Sequence, residues 1–312
     1  MRSASFLNNP AERKAYIITG PTSGIGRATA LEVAKYGDVV LVGRVREKLG
    51  ELQGEIERGG GHAVWVLGDL SDIKSVRRAA AKILDLHLPI VGLVNNAGIN
   101  QMRPTKSAQG WDLTFATNHL GPFVLTEVLM PHLPDGANVV FVASGVEDPE
   151  RKPAKAVGFR GGRYISAEAS ARGDWKPGGS KIPGADAYAT SKQCTLATVL
   201  EFASETTRLR VNAVEPGFNP GSSLRRDANA FQRFLLKHFL TLFAPYVKYW
   251  STPKQAARVI TKVLMNESGA TGVYYDDKGN PMLSSELVRD PKFTARVVSE
   301  TRALLETVQT WQ

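Results

Sequence analysis

A single cysteine, Cys194, in 312 residues excludes an internal disulfide and any metal site built on paired thiolates. No run of eighteen apolar residues occurs, so no integral membrane segment is expected. The stretch from Met1 to Lys14 is polar and lacks the apolar core of a secretory signal. A soluble cytoplasmic protein is therefore the expectation. Neither an internal repeat nor a low-complexity tract is evident, and no metal-ligand spacing appears, so no metal is expected. The chain is 43% hydrophobic and 22% charged, the balance of a folded protein with a large core. We read residues 15–312 as one domain preceded by an extension over 1–14.

The formal net charge is +9. A positive field favours nucleic acid, an anionic membrane surface or an anionic ligand. The excess is concentrated: Pro149 to Lys181 holds eight Lys/Arg against three Asp/Glu. That segment carries no nucleic-acid recognition motif, so no nucleic-acid partner is expected. It reads as a solvated lid, a lid that attracts an anionic substrate group, or a contact for an acidic partner.

Short apolar, β-branched runs alternate with longer stretches of helical spacing, the pattern of a parallel sheet built from βαβ units. Strands are expected at Ala15–Thr19, Val39–Gly43, Ala63–Leu67, Ile90–Asn95, Val139–Val142 and Arg210–Val214. Helices are expected at Ile25–Tyr36, Glu47–Arg58, Ser71–Leu84, Trp111–Met130 and Tyr188–Thr206. The fold class is α/β, a doubly wound parallel sheet with helices on both faces. Its ligand crevice belongs at the C-terminal ends of the strands, where strand order reverses. The interval Gly145–Ala187 is rich in Gly, Pro and charge and reads as a long, partly mobile loop insertion on that side. A substrate-side region over 218–312 is mainly helical, through Asn229–Tyr249, Lys254–Met265 and Lys292–Thr310.

The first strand runs into Thr19-Gly20-Pro21-Thr22-Ser23-Gly24-Ile25-Gly26, after which a helix begins. Glycines there permit a tight turn and let backbone N–H groups approach a pyrophosphate at the positive helix N-terminus. The second strand ends in Val42-Gly43-Arg44-Val45-Arg46. An acidic residue at that place would bind a ribose 2′-hydroxyl, whereas arginine meets a 2′-phosphate, so NADP(H) is favoured over NAD(H), with Arg44 ahead of Arg46. After the third strand, Asp69-Leu70-Ser71 offers a contact to the adenine amino group at Asp69 and a helix cap at Ser71. Asn96-Ala97-Gly98 after the fourth strand supplies small residues suited to close cofactor approach.

Tyr188-Ala189-Thr190-Ser191-Lys192 places a phenol and an ammonium four residues apart on one helix face. A close cation lowers a phenol pKa and makes the tyrosine a usable proton donor or acceptor. Taken in order, Thr19–Gly26, Asn95–Gly98, Asn118, Ser144 and Tyr188–Lys192 resemble the short-chain dehydrogenase/reductase family, with its Rossmann-type fold, over roughly Ala15 to Met265. The resemblance implies carbonyl–alcohol interconversion by hydride transfer with a nicotinamide cofactor. It implies that Tyr188 exchanges the proton and that Lys192 binds the nicotinamide ribose and lowers the Tyr188 pKa. It further implies that Ser144 hydrogen-bonds the substrate oxygen and Asn118 supports a proton relay through water. Pro216-Gly217 looks like the family's nicotinamide-flanking turn. His119 and Cys194 read as structural residues.

Ser144 and Tyr188 are 44 positions apart, a longer spacing than in most simple members of the family. With Asn118–Thr126, that spacing resembles the branch containing retinol dehydrogenases and protochlorophyllide reductases. The pocket is expected to draw on the loop after Ser144, Phe218–Leu224 and the aromatic-rich helix Asn229–Tyr249, which favours a bulky hydrophobic or aromatic ketone or aldehyde. A non-catalytic nicotinamide-dinucleotide sensor or scaffold is the competing class. Family members are commonly oligomers built through helices flanking the site. The C-terminal segment Asp290–Thr310 is long enough to cover those faces instead, so a homo-oligomer stays open.

Overall fold

The computed structural model describes residues 14–217 and 251–308. Residues 1–13 of the expected extension 1–14, the segment Phe218–Leu224 and the helix Asn229–Tyr249 lie outside the described residues. An eight-stranded sheet has the order β3-β2-β1-β4-β5-β6-β7-β8. Its strands are β1 (Ala15–Thr19), β2 (Asp38–Gly43), β3 (Ala63–Leu67), β4 (Ile90–Asn95), β5 (Asn138–Val142), β6 (Arg210–Val214), β7 (Tyr274–Tyr275) and β8 (Pro281–Met282). All neighbours pair in parallel except β8, which runs antiparallel to β7.

Apolar side chains fill both faces because successive residues of a strand point to opposite sides. Ala15, Ile17, Val40 and Val42 enter one core, while Tyr16, Ile18, Val39 and Leu41 enter the other. The first is closed by α3 (Ile73–Leu84), α5 (Gly121–Leu129) and α8 (Ala185–Glu205), the second by α1 (Gly24–Val33), α2 (Arg46–Arg58) and α9 (Pro253–Leu264). The last helix, α10 (Pro291–Thr307), lies on α8, where Arg302 pairs with Glu127 at 2.6 Å and Glu205 at 2.7 Å. No helix among the described residues is long and apolar enough to cross a membrane.

Three expectations require correction. The helix expected over Trp111–Met130 is interrupted: α4 (Leu113–Phe115) passes into a π-helical turn, Ala116–Leu120, before α5 begins. Ser71 does not cap α3. Asp72 does, accepting from the Lys74 N–H, while the Ser71 hydroxyl donates to Asp69 at 2.7 Å. The interval 145–187 is also more ordered than a loop. It contains α6 (Lys152–Ala156) and α7 (Ala167–Arg172), and it buries Tyr164, whose hydroxyl donates to Glu300 on α10 at 2.7 Å. Part of its charge is matched, within the interval through Lys155–Glu150 and Arg172 with Glu168 and Asp174, and outside it through Arg151–Glu215.

Candidate active site

Strand order reverses between β1 and β4, whose neighbours run outward in opposite directions. At their C-terminal ends the chain forms a cradle of small residues. Gly20 and Gly24 have φ of +63° and +54°, in the left-handed region that a side chain disfavours. A Cβ on Gly24 would meet nothing within 4 Å, so this edge of the turn is open. Asn96 ties the floor together, donating to the carbonyls of Thr19 at 2.9 Å and Gly20 at 3.2 Å. The Thr19 hydroxyl accepts from the N–H groups of Asn96 and Ala97, both at 3.0 Å. Helix α1 starts at Gly24 after an extended Ser23, and Ile25 and Gly26 form its first turn. Its N-terminus thus faces the opening with the polarity that attracts an anion.

Arg44, at the end of β2, lies 3.5 Å from Asp69, both side chains partly exposed at the rim. Arg46 is engaged elsewhere, its guanidinium stacked 5.1 Å over the Trp65 ring. Asp69 also accepts from the Ser71 N–H at 2.9 Å. Leu70 is buried. Gly98 leads toward the reactive residues, since a Cβ there would stand 3.4 Å from Asn118 Oδ1 and 3.8 Å from Lys192 Nζ. Pro216 and Gly217 follow β6 at the same end of the sheet. An open glycine turn and a helix N-terminus at the strand-order reversal fit the pyrophosphate of a dinucleotide.

The structure brings Ser144, Tyr188, Lys192 and Asn118 together. Ser144 follows β5 at that end of the sheet and lies close enough to Tyr188 to act on its phenol. Tyr188 and Lys192 share a face of α8, with the ammonium 5.8 Å from the phenol ring centroid. Asn118 sits in the π turn, where its side chain accepts from the Ile99 N–H at 2.8 Å and donates to the Ile99 carbonyl at 2.9 Å and to Ser191 Oγ at 3.0 Å. The extra residue in that helical turn re-aims the local backbone while the side chain anchors the loop after β4 to α8.

The expectation that Lys192 lowers the Tyr188 pKa is not met here. Burial pushes the phenol up to about 12, with the neighbouring Ser144 hydroxyl opposing and the Glu215 charge adding to the rise. Lys192 donates to the Val142 carbonyl at 2.7 Å, and burial lowers its pKa to about 8. Desolvation penalises the charged form of each residue more than their separation repays.

His119 is fully buried, shares a 3.0 Å hydrogen bond with Thr301 and contacts Phe115 and Phe123, which places it in the core. Burial pushes its pKa down to about 3. Cys194 is buried as well. Sequence reasoning missed Glu147, a fully buried carboxyl three residues after Ser144 that accepts from Ser285 N–H at 2.8 Å and Ser285 Oγ at 2.6 Å. Burial raises its pKa from 4.5 to about 7. No motif marks it, because its partner is 138 positions away.

The sign of that shift gives a testable pH dependence. Glu147 binds its proton more tightly folded than unfolded, so its contribution is fully present below about pH 4.5 and is lost as pH rises through about 7. The loss amounts to about 3 kcal/mol at most. Glu147→Gln keeps an acceptor for Ser285 without the ionisable proton. The difference in melting temperature between variant and wild type therefore moves in favour of Glu147→Gln by several degrees from pH 5 to pH 8. A difference that does not change with pH would show that Glu147 is not held in this way.

Residues 14–153 match the family model described as short chain dehydrogenase. Mouse retinol dehydrogenase 14 is 35% identical over 146 residues, covering 42% of this chain and 44% of the relative. The chain thus aligns with less than half the length of that relative. A candidate daunorubicin C-13 ketoreductase, DnrU, of Streptomyces sp. (strain C5) is 28% identical over 265 residues, covering 84% of this chain and 82% of the relative. The crystal structure of a 3-ketoacyl-ACP reductase from Sinorhizobium meliloti 1021 superposes with a TM-score of 0.61 at 26% identity, covering 85% of this chain and 98% of that one.

Proposed function

We propose that the chain is a member of the short-chain dehydrogenase/reductase family, in its retinol dehydrogenase-like branch, and an NADP(H)-dependent oxidoreductase that reduces a bulky hydrophobic or aromatic ketone or aldehyde. The observation that carries this reading is the gathering of Tyr188, Lys192, Asn118 and Ser144 at the C-terminal end of the sheet, the same end as the open glycine turn at the strand-order reversal. The likeness to a candidate ketoreductase over four-fifths of the chain supports the carbonyl substrate.

Gly20, Ser23, Gly24, Ile25 and Gly26 would receive the pyrophosphate, Arg44 the 2′-phosphate, and Asp69 and Leu70 the adenine. Asn96, Ala97, Gly98, Pro216 and Gly217 would line the nicotinamide half. The bound cofactor supplies the hydride. Everything else falls to the protein. A substrate carbonyl oxygen placed between Ser144 and Tyr188 receives hydrogen bonds from both hydroxyls. Tyr188, a neutral phenol at pH 7 because burial holds its pKa near 12, gives its proton to the developing alkoxide. Lys192, still mostly protonated at neutral pH, offers a donor to the ribose. Asn118 holds the loop after β4 against α8 and so keeps Lys192 beside Gly98.

The apolar surroundings of Tyr188 match an apolar substrate. Val146, Ala154, Phe159, Ile182, Ala185 and Ala189 pack around it.

The test is NADPH and NADH oxidation by the full chain against aliphatic ketones, aromatic ketones, quinones and retinoid-like aldehydes. Turnover with NADPH is expected. Arg44→Ala should raise KM for NADPH at least about tenfold, the value of one charge-assisted hydrogen bond, and leave KM for NADH nearly unchanged. A wild-type preference for NADH would overturn the reading of Arg44.

A further inference from the structure

Beyond the residues that meet cofactor and carbonyl, one ionic contact connects three separate parts of the site. Glu215 directly follows β6, and its half-buried carboxylate accepts from the Gly145 N–H at 3.3 Å and from Arg151 at 2.6 Å. Gly145 is the neighbour of Ser144. Arg151 is the residue from which α6 starts. The side chains of the pair are 26% and 17% exposed, so solvent screens this contact less than it screens the surface pairs of the same segment.

The segment launched by Arg151 supplies an apolar wall. Ala154 on α6 and Phe159 just after it pack with Ala185 and Ala189 around Tyr188, and the Phe159 and Tyr188 ring centroids are 6.5 Å apart. Space has been left for the ion pair. A Cβ on Gly145 would lie 2.9 Å from Glu215 Oε1 and 3.0 Å from Arg151 Nε, so any larger residue beside Ser144 would push the pair apart. The Gly162 N–H donates to the Glu147 carbonyl at 2.8 Å and closes the far end of the same segment.

We propose that Glu215 and Arg151 are specificity-determining positioning residues: their ion pair fastens α6 and Phe159 to the end of β6 and so builds the wall that selects an aromatic or bulky apolar group beside the reacting carbonyl. This inference rests on the oxidoreductase reading for its substrate. The wall itself is a matter of structure. Without the ion pair, the near side of the wall hangs on a helix of barely more than one turn, which has little stability of its own, while its far side keeps only the Gly162–Glu147 bond and the bond from the Ser180 hydroxyl to the Gly158 carbonyl at 2.8 Å. A wall that opens loses contact with a large substrate but costs a small one little, because a small ketone does not reach it.

Two measurements on the full chain decide the matter, using Glu215→Gln, Arg151→Met and the conservative Arg151→Lys. The first is limited chymotrypsin digestion with the cut sites mapped by mass. Glu215→Gln and Arg151→Met should accelerate cleavage after the now buried Phe159 by about tenfold, the scale of one lost charge-assisted hydrogen bond, with Arg151→Lys close to wild type. The second is the ratio of kcat/KM for an aromatic ketone to that for a small aliphatic ketone. This should fall about tenfold in the two disrupting variants, through KM for the aromatic substrate, and recover in Arg151→Lys, while NADPH binding followed by fluorescence stays at the wild-type value.

Unchanged cleavage after Phe159 would overturn the proposal. So would acceleration spread equally over the whole chain, which would make the pair a general folding element, or an unchanged substrate ratio in a variant whose Phe159 has become accessible. If no ketone is turned over by any form, the oxidoreductase reading fails, while the digestion still decides whether the pair holds the wall.

Discussion

Tyr188→Phe is expected to lower kcat for ketone reduction by about a hundredfold to ten-thousandfold, the range that a positioned proton donor contributes. The substitution keeps the ring, hence its packing with Phe159 and its place under Lys192, and removes only the hydroxyl beside Ser144. NADPH affinity, read by fluorescence titration, should stay close to that of the wild type. The pH profile separates the two directions of reaction. Burial holds the phenol near 12, so the proton for reduction is in place at neutral pH, whereas alcohol oxidation needs the tyrosinate and should rise steadily toward alkaline pH. A Tyr188→Phe variant that retained more than a tenth of the wild-type kcat would rule out this residue as the proton donor.

The second large effect is expected at Gly26. A Cβ there would fall 2.2 Å from the Gly20 carbonyl oxygen and 2.3 Å from Asn96 Nδ2, the amide that ties the floor of the turn. The nearest obstacle is backbone, so helix α1 has to move away from the turn to accept even a methyl group. Overpacking of this kind costs about 1–3 kcal/mol, which in a chain of this size lowers Tm by roughly 5 °C. The effect on the cofactor should be larger, because N–H groups aimed at a pyrophosphate are displaced together. Gly26→Ala is expected to weaken NADPH binding about a hundredfold, the scale of one or two lost charge-assisted hydrogen bonds. Gly24→Ala is the control. Open space surrounds its Cβ, but a φ of +54° adds strain of about 1–2 kcal/mol. Equal, small effects on NADPH binding at the two positions would show that close approach at Gly26 does not shape the cofactor turn.

Much of the fold was legible from local pattern. The bounds of β1, β3, β4 and β6 coincide with those read from apolar, β-branched runs, because parallel strands covered on both faces are marked by little else. The short strands β7 and β8 were not read, since two residues each give no periodicity to detect. Helices α6 and α7, of five and six residues, are hidden for the same reason inside a stretch rich in glycine and proline. The π turn at Asn118 is equally silent. One additional residue in a hydrogen-bond ladder changes the direction of a side chain without changing which residues are apolar.

The candidate site divides along the same line. Glycine spacing at 20–26, the arginine closing β2 and the Tyr188/Lys192 pair are short-range features, and chain geometry alone places each at the end of a strand or along one helix face. The electrostatics were not legible. Proximity of a phenol and an ammonium in sequence suggested a lowered tyrosine pKa, but the buried surroundings reverse it, because desolvation depends on what the rest of the chain packs around the pair. Glu147 reaches Ser285 across 138 positions and Glu215 reaches Arg151 across 64. What the sequence determined by itself was the backbone: which residues can turn, which alternate, and which begin a helix, all governed by interactions within a few residues. Tertiary structure alone decided which charges lost their water and which partner each received in exchange, because burial and long-range pairing exist only once distant segments have come together.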